Sequence, residues 1–377
     1  MNAGVSGRRG EHFDIAVIGA GMAGASLAAE LAPHASVLLA EAESQPGYHT
    51  TGRSAAFWEE CYGGPQVVPL TLASGPYLRR LGMLRPRGAL YLAREEDEAA
   101  VASFLERFAG SGVSIAPLGR AELARRIPGL RPAWAHAIAE PGCADIDVAA
   151  LHQHYLALAK DGGAVLRGRA RLVAAERDGQ GWRLLFEGNG SSRAEVRAGA
   201  LVDAAGAWAD EVAVLAGARP LGIRPLRRTM VQLRTEPAPP ADLPLVLDLK
   251  GGFYFKPEGE RLWLSPHDET PSAPCDAAPE ELDVALAVDR FEAVVEWRVA
   301  ALERKWAGLR SFAPDRLPVY GWDARQEGFF WFAGQGGFGI QTAPAAARLA
   351  AQLLLGRGRD EMTASLDPSL YDPGRFG

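Results

Sequence analysis

The chain has 377 residues, 48% of them hydrophobic, which is enough for two packed lobes. Its net charge is −6 and its basic residues are scattered, so it lacks the electrostatic footprint of a nucleic-acid binder. Cys61, Cys143 and Cys275 stand far apart and in no metal-ligand spacing, which argues against a disulfide framework or a metal site and suits a reducing, cytoplasmic setting.

Arg8 and Arg9 precede no apolar stretch, so no secretory signal is expected, and no run approaches a membrane span in length. The segment Phe13-Asp-Ile-Ala-Val-Ile then reads as a buried strand. Gly19-Ala-Gly-Met-Ala-Gly24 reads as a turn opening a helix, and Val37-Leu-Leu-Ala-Glu41 as a second strand ending in an acid. Gly19 permits a sharp turn, Gly21 lets a pyrophosphate approach the backbone, and Gly24 allows close helix–strand packing. Glu41 falls where an acid accepts bonds from a ribose, and the helix start offers free N–H groups to phosphate. The glycine spacing alone also fits an ordinary tight turn; the apolar run before it and the acid after it point to a dinucleotide. Ala20, Met22, Ala23 and Ala42 flank this expected site.

The segment 43–56 is rich in turn formers and small residues, as suits a loop running close to a ligand. Helical patterns follow at 67–81, 95–109, 120–126 and 149–159, the last started near Asp147. Strand patterns occupy 165–166, 170–175, 182–186, 195–197 and 200–203. The segment 201–208 repeats the order of apolar strand, glycine and helix. Short alternating strands at 229–234, 245–249, 253–256 and 261–265 predict an antiparallel sheet. A helix is expected over 279–298, a strand with a glycine turn over 328–342, and a helix over 345–355. The separated pieces predict an α/β protein with a discontinuous nucleotide-binding lobe (12–83, 141–219 and 313–365) and an antiparallel-sheet lobe (84–140 and 220–312) that covers a substrate.

Seven segments, in this order, resemble one family: Gln45-Pro-Gly-Tyr-His-Thr-Thr-Gly-Arg-Ser-Ala-Ala56; Ala144-Asp-Ile-Asp147 with Ala150-Leu-His-Gln153; Ala204-Ala-Gly-Ala-Trp208; Gly217-Ala-Arg-Pro-Leu-Gly222; Phe253-Tyr-Phe-Lys-Pro257; Trp306-Ala-Gly-Leu-Arg-Ser-Phe312; and 334–342. The chain resembles the FAD-dependent D-amino acid oxidase superfamily. Within it, it is most similar to bacterial D-arginine dehydrogenase-like and D-amino acid dehydrogenase proteins. The resemblance implies FAD rather than NAD and a two-lobed fold with a glutathione-reductase-type Rossmann domain. It also implies hydride transfer from substrate Cα to flavin N5, giving an imino acid that hydrolyses to a 2-oxo acid and ammonia.

Such a reaction needs a carboxylate clamp, and arginine suits it through bidentate pairing. The resemblance places Arg310 and Arg228 on the flavin's reactive side, although either alone also fits a structural salt bridge. It gives Tyr254 a hydroxyl on the substrate carboxylate; alternation predicts that Tyr254 faces away from Phe253 and Phe255. Tyr62 is either a lid over the site or a packing residue. Gly308 and Gln341 complete the expected substrate surroundings. No histidine stands out as a base: His49 is expected in the FAD loop, and His152 and His154 on a helix. The resemblance further implies FAD contacts from Thr50, Thr51, Arg53, Ser54, Ala55, Ala56, Leu172, Ala205, Gly206 and Trp208. Gly308, Arg310, Gly336, Gly337, Phe338, Gly339, Ile340 and Gln341 join them. No cysteine follows Cys275, so the flavin is expected to be non-covalent.

Three departures bear on the substrate. Ala89 stands where arginine-preferring relatives carry an acid, Phe57 replaces a histidine and Glu59 a threonine. Glu59 either restores a cation site from another wall or is solvated. The expected substrate is a neutral D-amino acid with an apolar or aromatic side chain. Other readings are glycine, an N-methyl amino acid or a 2-hydroxy acid as substrate, or a non-catalytic flavin-binding protein. Oxygen, a quinone or another acceptor can each reoxidise such a flavin.

Overall fold

The computed structural model describes residues 11–188 and 192–377; Arg8 and Arg9 lie outside them. Strand Glu11–Ile18 is central to an eight-stranded sheet, flanked in parallel by Val37–Ala40 and Arg193–Asp203. Ile15 and Val17 enter one core, whereas Phe13, Ala16 and Ile18 enter the other. A strand covered on both faces must be apolar on both, hence the unbroken run before Gly19. Helix Met22–Leu31 packs on this sheet beside helices Val148–Asp161 and Ala343–Leu354. Asp147 caps the second of these helices through the Ala150 N–H at 2.9 Å, as its sequence position predicts. Strand Phe329–Ala333 joins the parallel set beside Arg193–Asp203.

A nine-stranded sheet forms the second layer system. Strand Arg224–Glu236 pairs antiparallel with strand Arg298–Phe312 along its whole length. The second strand is absent from the sequence reading, where 298 ends a helix. The helix instead runs Glu281–Glu292, because Val294, Val295 and Val299 favour extended backbone and the first two are buried. Strands Ala89–Arg94 and Trp134–Glu140 were also not expected; their alanines weaken the strand signal. The expected pieces 195–197 and 200–203 are one strand, Arg193–Asp203. A small sheet of Phe57–Trp58, Leu84–Pro86 and Ala144–Ile146 completes the architecture. No described helix is long and apolar enough to cross a membrane, and the described residues contain no cluster suited to a metal ion.

Candidate functional site

The glycine fingerprint forms by backbone contact. Gly19 adopts φ +99°, and a Cβ there would lie 2.5 Å from the Ala204 carbonyl oxygen. A Cβ on Gly24 would lie 1.8 Å from the Gly19 oxygen, so the helix can meet the turn only as glycine. Glu41 receives the N–H groups of Ala20 and Glu43, both at 2.9 Å, and Thr51 Oγ1 receives that of Met22 at 2.9 Å. These bonds fasten the loop after each strand to the helix start.

In front of this turn lies a cavity of about 820 Å³. Gly19, Gly21, Met22, Ala23, Glu41, Ala42, Thr50, Thr51, Ser54, Leu172, Ala205, Gly206 and Trp208 line it, with Arg310, Gly336, Gly337, Gly339 and Ile340 at its other end. An acid on its wall, a helix whose N-cap glycine supplies no side-chain cap and glycines without Cβ atoms fit a dinucleotide of FAD's size. Sequence reasoning missed Tyr48, Arg171 and Pro220, whose side chains also border it.

A second cavity of about 120 Å³ adjoins the first. Ser54, Arg310 and Gly337 line both and therefore mark the junction. The smaller cavity is bounded by Ala55, Ala56, Phe57, Glu59, Tyr62, Arg228 and Tyr254, as the sequence suggests. It also draws in Tyr91, Phe104, Leu247, Leu249 and His267, which no local motif announces.

The register explains the two arginines. Arg228 lies opposite Gly308 and Arg310 opposite Leu226, so their side chains share one face of the sheet on a diagonal. Arg310 is only 8% exposed and makes no side-chain hydrogen bond or ion pair among the described residues. Arg228 is 1% exposed, and it spends its Nε on the Asp268 carbonyl at 2.7 Å and one terminal nitrogen on Glu269 at 3.1 Å. Part of its capacity as a clamp is therefore already committed. Tyr254 does point away from Phe253 and Phe255; its hydroxyl donates to Met230 Sδ at 3.1 Å and its ring packs on Phe57 and His267. His267 adopts φ +57°, and burial with the charges of Arg228 and Arg310 lowers its imidazole to about 2, so it stays neutral.

Several expected contacts are placed elsewhere. Ala20 is a bridge, its carbonyl 2.9 Å from His152 Nε2. Arg53 turns its guanidinium to the Ala277 and Ala307 carbonyls and to Asp276, fastening its loop to the second sheet. Phe338 is buried among Val67, Leu226, Phe312 and Leu317. Gly308 accommodates the Arg53 Cβ, 3.2 Å from where its own Cβ would be. Gln341 brackets the Glu59 backbone, donating to its carbonyl at 2.8 Å and accepting its N–H at 3.1 Å. Ala89 is buried opposite Glu140 in the strand pair and lines neither cavity, so an acid missing there takes nothing from either wall. Ala55 and Ala56 border only the smaller cavity.

Glu59 is not solvated: it is 4% exposed. Its carboxyl accepts the Tyr91 hydroxyl, which also faces Glu140 Oε2 at 2.7 Å. Desolvation, followed by the nearby charge of Glu140, pushes the Glu59 carboxyl up to about 8.

A family model for FAD-dependent oxidoreductases, DAO, matches residues 14–353. The chain belongs to this family. The chain is therefore FAD-dependent, and the larger cavity has the size and lining that such a dinucleotide requires. A glycine oxidase of Pseudomonas aeruginosa is 30% identical over 197 residues, which cover 49% of this chain and 48% of that protein. The chain thus spans about half the length of that curated relative. A glycine oxidase of Geobacillus kaustophilus is 26% identical over 359 residues, covering 91% of this chain and 93% of that one. The crystal structure of the Geobacillus enzyme superposes with a TM-score of 0.82 at 24% identity over 96% of this chain and 98% of that one. L-proline dehydrogenase from P. horikoshii superposes with a TM-score of 0.82 at 21% identity, covering 97% and 98%. These superpositions establish the DAO-family fold.

Proposed function

We propose that this DAO-family chain oxidises the Cα–N bond of a small neutral α-amino acid, D-configured where Cα is chiral. The observation that carries the reading is Arg310, a buried, unpartnered guanidinium where the two cavities meet. Such a group is costly to bury unless an anion completes it, and a carboxylate does so bidentately. Arg228, one diagonal away, adds field and one remaining nitrogen, and the Tyr62 and Tyr254 rings exclude water. When bound, FAD accepts the hydride that leaves Cα.

Gly19, Gly21, Thr51 and the helix start would hold the pyrophosphate, Glu41 the ribose, and Gly336–Ile340 the flavin edge, without a covalent bond. In this reading 12–83, 141–219 and 313–365 act as the FAD lobe. The substrate ammonium loses its proton to solvent, and the imino acid hydrolyses after release. The D configuration follows from the resemblance to D-amino acid dehydrogenases. A second reading, glycine or an N-methyl amino acid, is favoured by the volume of about 120 Å³. Turnover with an artificial two-electron acceptor tests both. Ammonia and a 2-oxo acid in a 1:1 ratio are expected from small D-amino acids; release of neither these products nor an N-methyl amine from any amino acid contradicts the proposal.

A further inference from the structure

Besides Arg310 and the Nδ1 of His267, the smaller cavity carries a further unpartnered polar atom, on Glu59. One Glu59 carboxyl oxygen accepts the Tyr91 hydroxyl, and the other has no hydrogen-bond partner among the described residues. Glu59 and Tyr91 line the smaller cavity only, whereas Arg310 lines both. With a carboxylate on Arg310 and Cα at the junction, the substituent on Cα extends toward the Glu59 wall. Phe57, Phe104, Leu247 and Leu249 supply the apolar surface there. Of the other polar side chains on the wall, the Asp248 carboxylate already accepts the Lys250 and Gly252 N–H groups and the Tyr254 hydroxyl is on Met230, while Tyr62 and His267 complete the lining. Gln341 fixes the Glu59 backbone through two bonds and Tyr91 fixes its carboxyl, so the free oxygen is held in place rather than mobile.

We propose that Glu59, positioned by Tyr91 and Gln341, is the specificity-determining group for the substrate side chain, selecting short side chains that end in a hydroxyl, amide or amine over all-carbon ones of equal size. The proposal rests on the amino-acid reading above. It narrows that reading among neutral side chains and extends it to amines, because the aromatic and leucine side chains alone would favour the all-carbon substrate. A site built to hydrogen-bond a side chain rejects the isostere that leaves its polar atom unpaired.

The same group makes selection depend on pH. Glu140, from strand Trp134–Glu140, faces this array with Glu60 beside it, and Asp248, Arg228, Arg310 and His267 line the same cavity. Tyr91, Cys61 and Cys143 stay protonated, since burial pushes all three up. Neutral Glu59 suits a hydroxyl or amide, and ionised Glu59, populated as pH rises through about 8, suits an ammonium.

The test compares kcat/KM for threonine and valine, which share a shape, in the enantiomer that the enzyme oxidises. A threonine preference of about tenfold or more is expected, retained in Glu59→Gln and lost in Glu59→Leu. A ratio near one in the unaltered protein, or a preference untouched by Glu59→Leu, overturns the proposal. Should Glu59→Leu fail to retain FAD, the dependence of KM on pH for 2,4-diaminobutyrate decides. It falls more steeply as pH rises toward 8 in the unaltered protein than in Glu59→Gln, where only the substrate's own α-amino titration remains; equal slopes overturn the proposal. Alanine or glycine turnover runs alongside. If these are oxidised while threonine is not preferred, this inference fails alone; if no amino acid is oxidised, the amino-acid reading fails.

Discussion

Arg310 and Asp145 show two uses of buried charge. Arg310 is left without a protein partner, and an anionic ligand has to complete it. Its replacement is expected to lower kcat/KM for amino acids by roughly a hundredfold in Arg310→Lys and a thousandfold or more in Arg310→Ala. FAD content, read from the visible absorbance, should change little by comparison; equal loss of both would make Arg310 a cofactor residue only. Asp145 is partnered throughout: Lys256 Nζ at 2.8 Å and Arg87 Nε at 2.7 Å join it to two other segments, and Arg85 adds a third cation. Burial alone would raise this carboxyl, but the Arg87 bond and the Lys256 charge pull it down to about 2. Because the folded value lies below the unfolded value near 4, the stabilisation is present above about pH 4 and lost as pH falls through about 2. Asp145→Asn is therefore expected to cost roughly 3 kcal/mol at pH 7, as it strands a buried lysine. Urea melts at pH 7 and pH 3 check this: the gap between variant and parent should narrow at the lower pH, and a constant gap contradicts it.

At the scale of elements, the glycine turn separates packing from binding. Gly24→Ala drives a Cβ into the Gly19 carbonyl, which is backbone and cannot swing aside. It should lower the thermal midpoint of the apoprotein and weaken FAD binding together. A Cβ on Gly21 meets only Thr51 Oγ1, at 3.2 Å, and otherwise occupies the cavity. Gly21→Ala should therefore leave the apoprotein midpoint within a few degrees while weakening FAD binding about tenfold or more. Flavin titration of apoproteins reads both, and indistinguishable behaviour of the two variants contradicts the division. This turn was legible in the sequence because its residues are local and each glycine answers one steric demand. Strand Arg298–Phe312 was not: its first half exposes Glu303 and Arg304 and lacks alternation, and its place is set by 13 residues of pairing with a strand some 70 positions earlier. The side chains it carries were found through their motif, but the strand itself was not.

For the whole molecule, the presence of a parallel and an antiparallel sheet followed from patterns of apolar runs and alternation, although three strands of the second sheet, Ala89–Arg94, Trp134–Glu140 and Arg298–Phe312, did not. The smaller cavity was less legible. Phe57, Glu59 and Tyr62 lie near a recognisable loop, but Tyr91, Phe104, Leu247 and His267 reach the cavity only because separate strands and a helix converge there. Glu59 was visible in the sequence as an unexpected acid; its burial against Tyr91 and Glu140 was not, since two of the three come from alanine-rich strands. The larger cavity couples the whole fold to its cofactor, because ligands that bind only the folded state stabilise it. FAD at a hundred times its dissociation constant should add about 2.7 kcal/mol to apoprotein stability. A midpoint independent of added FAD would contradict a preformed site.

The most direct test of the central claim is anaerobic mixing of the FAD-loaded protein with glycine and small D- and L-amino acids, following loss of the oxidised flavin band. Small D-amino acids or glycine are expected to reduce the flavin in the unaltered protein, and this reduction is expected to be lost in Arg310→Ala despite bound FAD. Absence of reduction by every amino acid, or equal reduction in Arg310→Ala, would contradict it.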